Sequence, residues 1–125
     1  MLDKTRPVFL NLLQIRMPVT AVASILHRVS GVLLFLALPA FIYLLQLSLR
    51  SEADFYSLTG FTGSFSIRVL ASCLLWALIH HFFAGIRFLL LDVEAGITRA
   101  QSRATAWLVN LGSLLMTIVI VGLCL

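Results

Sequence analysis

Acidic residues are scarce in this 125-residue chain: there are five, against nine Lys and Arg, and charged residues make up only 11% of the total. None of the five, Asp3, Glu52, Asp54, Asp92 and Glu94, falls inside a long apolar run. The paired mid-membrane carboxylates and interrupted half-helices expected of a transporter are therefore missing from the pattern. Cysteine is limited to Cys73 and Cys124. With no CxxCH there is no signal for covalent haem attachment, and with no CxxC there is none for zinc or an iron–sulfur cluster. Both thiols fall in apolar runs and read as buried structural groups. The opening MLDKTRPVF has neither a charged-then-apolar cleavable signal nor a long Arg- and Ser-rich presequence. The expectation is a multi-pass protein of a bacterial inner membrane, inserted by its own first span.

What the chain has in abundance is hydrocarbon. It is 61% hydrophobic with a mean hydropathy of +1.07, far more apolar than a soluble domain of this length. Three runs reach the roughly 20 residues that a helix needs to cross about 30 Å of lipid. The prediction is all-α: an integral membrane protein of three transmembrane helices, with spans at about 21–49, 67–91 and 104–125, forming one membrane-anchor domain over 1–125. Little chain is left for a soluble catalytic domain. Lys4, Arg6, Arg16 and Arg28 precede the first span, Arg87, Arg99 and Arg103 cluster around the end of the second, and only Arg50 and Arg68 lie opposite. The positive-inside rule then puts the N-terminus inside and the C-terminus outside. The basic inner face suits anionic lipid or a soluble partner and gives no reason to expect nucleic acid.

Residues 1–18 are broken by charges and by Pro7 and Pro18, yet contain an apolar stretch from Val8 to Ile15. A segment lying on the inner interface is expected there. In the first span, Ser24, His27, Arg28 and Gly31 follow an i, i+3, i+4, i+7 spacing, which places them on one helix face. Two readings stay open at this point: a polar ligand-binding stripe, or an Arg28 that snorkels to headgroups beside a Ser24 bonded to its own helix. Residues 50–68 read as an outer loop along the interface. The second span carries two adjacent imidazoles, His80 and His81, about 100° apart. On its helix face His81 is flanked by Ala77, Ala84, Gly85 and Phe88, small residues in the main, with room for a flat ligand. A lone intramembrane histidine is either a cofactor ligand or one end of an interhelical hydrogen bond. Asn110, Ser113 and Thr117 in the third span form a polar stripe suited to helix packing.

Three elements taken together carry a family resemblance: RPV at 6–8, SILHRVSG at 24–31 and HFFAGIRFLLLD at 81–92. In this order, within three spans, they resemble the cytochrome b membrane-anchor subunit of succinate dehydrogenase, respiratory complex II, over the whole chain. The resemblance implies a subunit that anchors the flavoprotein and iron–sulfur subunits in the lipid membrane. It implies haem b shared with a second small membrane-anchor subunit, and a ubiquinone-reduction site. The histidine opening H-x-x-x-G-I-R, here His81, would be the axial ligand of the haem iron. Ser24 and Arg28 would contact the quinone, and His27 with Arg28 would lie by the haem propionates. The catalytic oxidation of succinate would belong to another subunit. Phe88 stands where some members of the family carry a histidine, and His80 matches no functional position. The alternatives are the anchor of a fumarate reductase that oxidises quinol, and a haem-free transporter or structural membrane subunit.

Overall fold

The computed structural model describes residues 16–124, the side chain of Thr62 excepted. They form four helices and no strand: α1 Val19–Arg50, α2 Glu52–Thr62, α3 Phe65–Asp92 and α4 Arg99–Cys124. Of these, α1, α3 and α4 are long and apolar enough to cross a membrane. Their 32, 28 and 26 residues correspond to about 48, 42 and 39 Å at 1.5 Å per residue, more than the hydrocarbon is thick. The interfacial segment expected at 1–18 lies, up to residue 15, outside the described residues.

The helix ends follow local chemistry. Pro18, extended at ψ 153, opens α1 by accepting hydrogen bonds at its carbonyl from the amides of Ala21 and Val22. The expected loop at 50–68 is a correction: eleven of its residues form α2. Ser51 makes the cap, its Oγ accepting from the Asp54 amide at 3.1 Å and donating to Asp54 Oδ2 at 2.8 Å, and a capped start outweighs the weak helix preference of Ser, Thr and Gly that follow. Likewise α4 begins at Arg99, ahead of the expected 104, because Thr98 caps it: the Gln101 amide donates to Thr98 Oγ1 at 3.4 Å, and the Thr98 hydroxyl donates to Gln101 Oε1 at 2.6 Å. Between α3 and α4 the chain turns through a Schellman arrangement, Ala95 N–H to the Leu90 carbonyl and Glu94 N–H to the Leu91 carbonyl. Glu94 takes the left-handed conformation, φ 60, that glycine usually fills there.

Helix α3 is the hub, packing on α1 on one side and α4 on the other, while α1 and α4 also touch. Its buried residues, Ala77, His80, Ala84 and Arg87, are spaced 3, 4 and 3 apart and so form one stripe. The facing stripe of α4 is Ala106, Val109, Ser113 and Thr117; α1 contributes Ala23 and Ser30. Small residues let helix backbones approach closely where lipid provides no hydrophobic drive for association. The buried hydroxyls are satisfied within their own helix, Ser113 Oγ donating to the Asn110 carbonyl and Thr117 Oγ1 to the Ser113 carbonyl. Arg87, 6% exposed, is no surface anchor. Its Nε donates to Thr105 Oγ1 and its Nη2 to the carbonyl and hydroxyl of Ser102, all at 3.1 Å, tying the end of α3 to the start of α4.

Two expectations are corrected here. Cys73 and Cys124 are exposed on the helix surfaces, since a three-helix bundle has few interior positions and smaller residues fill them. Ala77 and Ala84 leave no space beside His81. They are fully buried in the seam with His80, to which they stand at i−3 and i+4. By contrast, only 6% of the most apolar stretch of α1 is buried within the chain.

Ala84→Leu is expected to force a branched side chain into this closed seam and to destabilise the bundle by about 1–3 kcal/mol. Thermal unfolding in detergent checks it, with Leu115→Ala, on the exposed face of α4, as a control that shifts the transition far less.

Candidate functional site

The polar residues of α1 meet those of α3 around His81. Gly31 makes the approach possible: a Cβ there would lie 2.9 Å from Cε1 and 3.3 Å from Nδ1 of His81, so only a hydrogen leaves room for the ring. Nδ1 of His81 is 3.1 Å from the backbone carbonyl oxygen of His27. That oxygen can only accept, so Nδ1 carries the hydrogen and, in the neutral ring, Nε2 keeps its lone pair. Nε2 has no hydrogen-bond partner among the described residues. A histidine held through one nitrogen by a carbonyl, with the other bare, is the arrangement of a metal-ligating imidazole with its outer-shell support.

The surrounding rings fix the His81 plane. The His27 ring stacks on it, centroids 4.2 Å apart and planes 12° from parallel, and Phe88 closes the far side of His27 at 5.2 Å. Phe88 also lies under the Arg87 guanidinium, 5.3 Å from its centroid, so the residue standing in place of a histidine is an aromatic wedge between site and seam. Nε2 of His27 would be 3.7 Å from a Cβ at Gly85, in ordinary contact. Gly31 is thus the glycine that the stacked imidazoles require, while a Cβ at Gly85 would fit.

Ser30 was not singled out by sequence reasoning, although it is fully buried at the centre of this cluster. Its Oγ donates to the His27 carbonyl at 2.9 Å and lies 3.3 Å from His81 Nδ1. The available signal was its place three residues after His27 and immediately before the close-contact glycine. The stripe expected from α1 is graded: Ser24, His27 and Gly31 are half-buried, and Arg28 is exposed. Eight helical serines and threonines, at 30, 48, 57, 59, 72, 105, 113 and 117, donate back to their own helix. Ser24 makes no such bond and Arg28 has no partner among the described residues; both keep free donors one to two turns from the His81 contact. A cavity of about 750 Å³ lies elsewhere, between the starts of α1 and α4, and is lined by neither of them nor by His81.

The second histidine is separate from this cluster. His80 is fully buried, its Nε2 3.1 Å from Asn110 Oδ1 on α4, with Trp76 tilted against its ring at 5.4 Å. Asn110, expected to serve packing alone, is thus a hydrogen-bond partner. Both histidines bond a neighbouring helix, His80 to α4 and His81 to α1, and of the two Nε2 atoms that of His81 has no hydrogen-bond partner among the described residues.

The succinate dehydrogenase/fumarate reductase transmembrane subunit family matches residues 3–120. Among curated proteins, the chain is similar to proteins named succinate dehydrogenase cytochrome b556 subunit. The one from Coxiella burnetii is 35% identical over 109 residues, 86% of this chain and 87% of that protein. Those from Rickettsia felis and Paracoccus denitrificans are 28% and 25% identical, covering 92% and 90% of this chain and 90% and 87% of theirs.

Gly31→Ala is expected to displace His81, because the added carbon would collide with Cε1 of a ring pinned from behind by the His27 stack. The carbonyl bond to Nδ1 would be lost, and with it the orientation of Nε2. Histidine NMR of the labelled protein in detergent, reading the Nδ1–H resonance of His81, checks this; an unchanged resonance would show that the ring is not confined as described.

Proposed function

Because the chain belongs to the succinate dehydrogenase/fumarate reductase transmembrane subunit family, we propose that it is a cytochrome b anchor subunit of succinate dehydrogenase. In this reading it spans a bacterial inner membrane three times as a single domain, N-terminus inside and C-terminus outside. It holds the flavoprotein and iron–sulfur subunits at the inner face and shares haem b with a second small anchor. The observation that carries the haem assignment is the His81 geometry: Nδ1 bonded to a carbonyl and Nε2 bare.

The residues fit the group. His81 would supply a nitrogen ligand to the iron and Ser30 would help hold the His27 carbonyl that orients it. A second ligand would come from the partner anchor. His27 and Arg28 offer donors and a cation to the anionic propionates. When bound, haem b supplies a one-electron redox centre beside the quinone site. The protein's own contribution would be to fix the His81 ring, through the His27 carbonyl and the His27 stack, for binding that centre.

For quinone, Ser24 and Arg28 are the assigned residues. A carbonyl oxygen gaining negative charge on reduction needs donors already pointed at it, and these are worth most where water is excluded. Ser24 has a hydroxyl uncommitted to its helix, and Arg28 an exposed guanidinium at the same end of α1. The relatives' names, all of succinate dehydrogenase, favour quinone reduction over quinol oxidation as the working direction.

In the purified complex, His81→Leu is expected to abolish the b-type signal in a reduced-minus-oxidised spectrum while the soluble subunits stay attached. A haem signal surviving that change refutes the ligand assignment. Ser24→Ala and Arg28→Leu are each expected to lower quinone reduction by roughly tenfold or more, the scale of losing one donor to developing charge. Succinate oxidation by a soluble electron acceptor should be unchanged, and parallel loss of both activities would mean that these residues serve assembly.

A further inference from the structure

Two chemically identical side chains sit next to each other in the middle of α3, and a turn of that helix by about 100° would exchange them. Apolar patterning distinguishes them poorly, since imidazole is imidazole. On α4 the Asn110 amide is bonded to His80, at 3.1 Å, and no hydrogen bond joins α4 to His81 among the described residues. The His80 ring is fully buried, yet its Nδ1 has no hydrogen-bond partner among the described residues. A buried nitrogen left unsatisfied costs free energy, so this pair stabilises the bundle less than apolar side chains of the same volume would. What a single polar pair in an apolar seam does supply is discrimination between orientations.

We propose that the His80–Asn110 hydrogen bond is a rotational lock on α3, which holds His80 in the seam and so selects His81 as the histidine presented to haem. His80 and Asn110 are positioning residues in this scheme. They touch neither haem nor quinone and act through the angle at which α3 sets His81 over Gly31. The proposal rests on the reading of His81 as the haem ligand. The small stripe of Ala77 and Ala84 also favours this orientation sterically, so the test must separate a polar lock from close packing that would suffice alone.

The test uses the complete detergent-purified complex carrying the native chain, Asn110→Leu, His80→Gln or His80→Phe. The haem-to-flavin ratio and the low-spin haem signal in electron paramagnetic resonance are read. Gln can still bond the Asn110 amide and should keep the native g-value and haem content. Phe at 80, and Leu at 110, should shift or split the low-spin signal and lower haem retention by roughly tenfold, as removal of support for a ligand typically does. If Asn110→Leu does not assemble, the two His80 variants decide: equal, native-like signals from Gln and Phe overturn the lock. Native signals from Asn110→Leu overturn it as well and assign orientation to the alanine seam. Neither result disturbs His81 as ligand, whereas haem retained in His81→Leu removes that reading and the lock with it.

Discussion

In hydrocarbon a polar side chain has no water to fall back on, and this constraint orders the whole structure. Each imidazole, hydroxyl, amide and guanidinium placed within the spans must bond its own helix, bond a neighbouring helix, or face a ligand. Ser113 and Thr117 take the first course, and His80 with Asn110 and Arg87 with Ser102 and Thr105 take the second. Ser24, Arg28 and Nε2 of His81 have no such bond among the described residues, and neither has Nδ1 of His80 inside the α3–α4 seam. The first three are the groups proposed above to face ligands.

The same constraint explains how α3 can serve two purposes. Its buried stripe is small and carries the chain's close helix contacts, while the adjacent stripe, one residue further round, carries His81, Gly85 and Phe88. A change of one position in the alanines or histidines would put packing and chemistry on the same face. The Arg87 bonds to the first turns of α4 and the His80 bond near its middle fix α3 against α4 at two heights, so that α1 meets a face already set.

Much of this was legible in the sequence, because three long apolar runs are a strong signal. The spans, the inequivalence of His80 and His81, and the packing role of Ser113 and Thr117 follow from composition and helical period. What was not legible depends on which of two near-equal angles is realised. Ala77 and Ala84 stand at i−4 and i+3 from His81 and at i−3 and i+4 from His80, so spacing alone could assign them to either. Only the contact between helices decides, and it assigns them to His80. Helix α2 was hidden because the 50–68 stretch around it is rich in Ser, Thr and Gly, and a single cap at Ser51 outweighs them. Ser30 was hidden because a serine beside a glycine in a span looks like packing until the His27 carbonyl and His81 are seen on either side of it.

The low burial of α1 has a consequence for how the protein comes into being. A helix that hides so little of itself against its own chain gains little from the arrival of α3 and α4; the bilayer alone is enough to keep it helical and in place. Its residence in the membrane is therefore separable in time from the formation of the histidine cluster. The first span can wait, fully formed, for the rest of the polypeptide, and the site comes into existence only when the second span slides its imidazole over the bare backbone of the first.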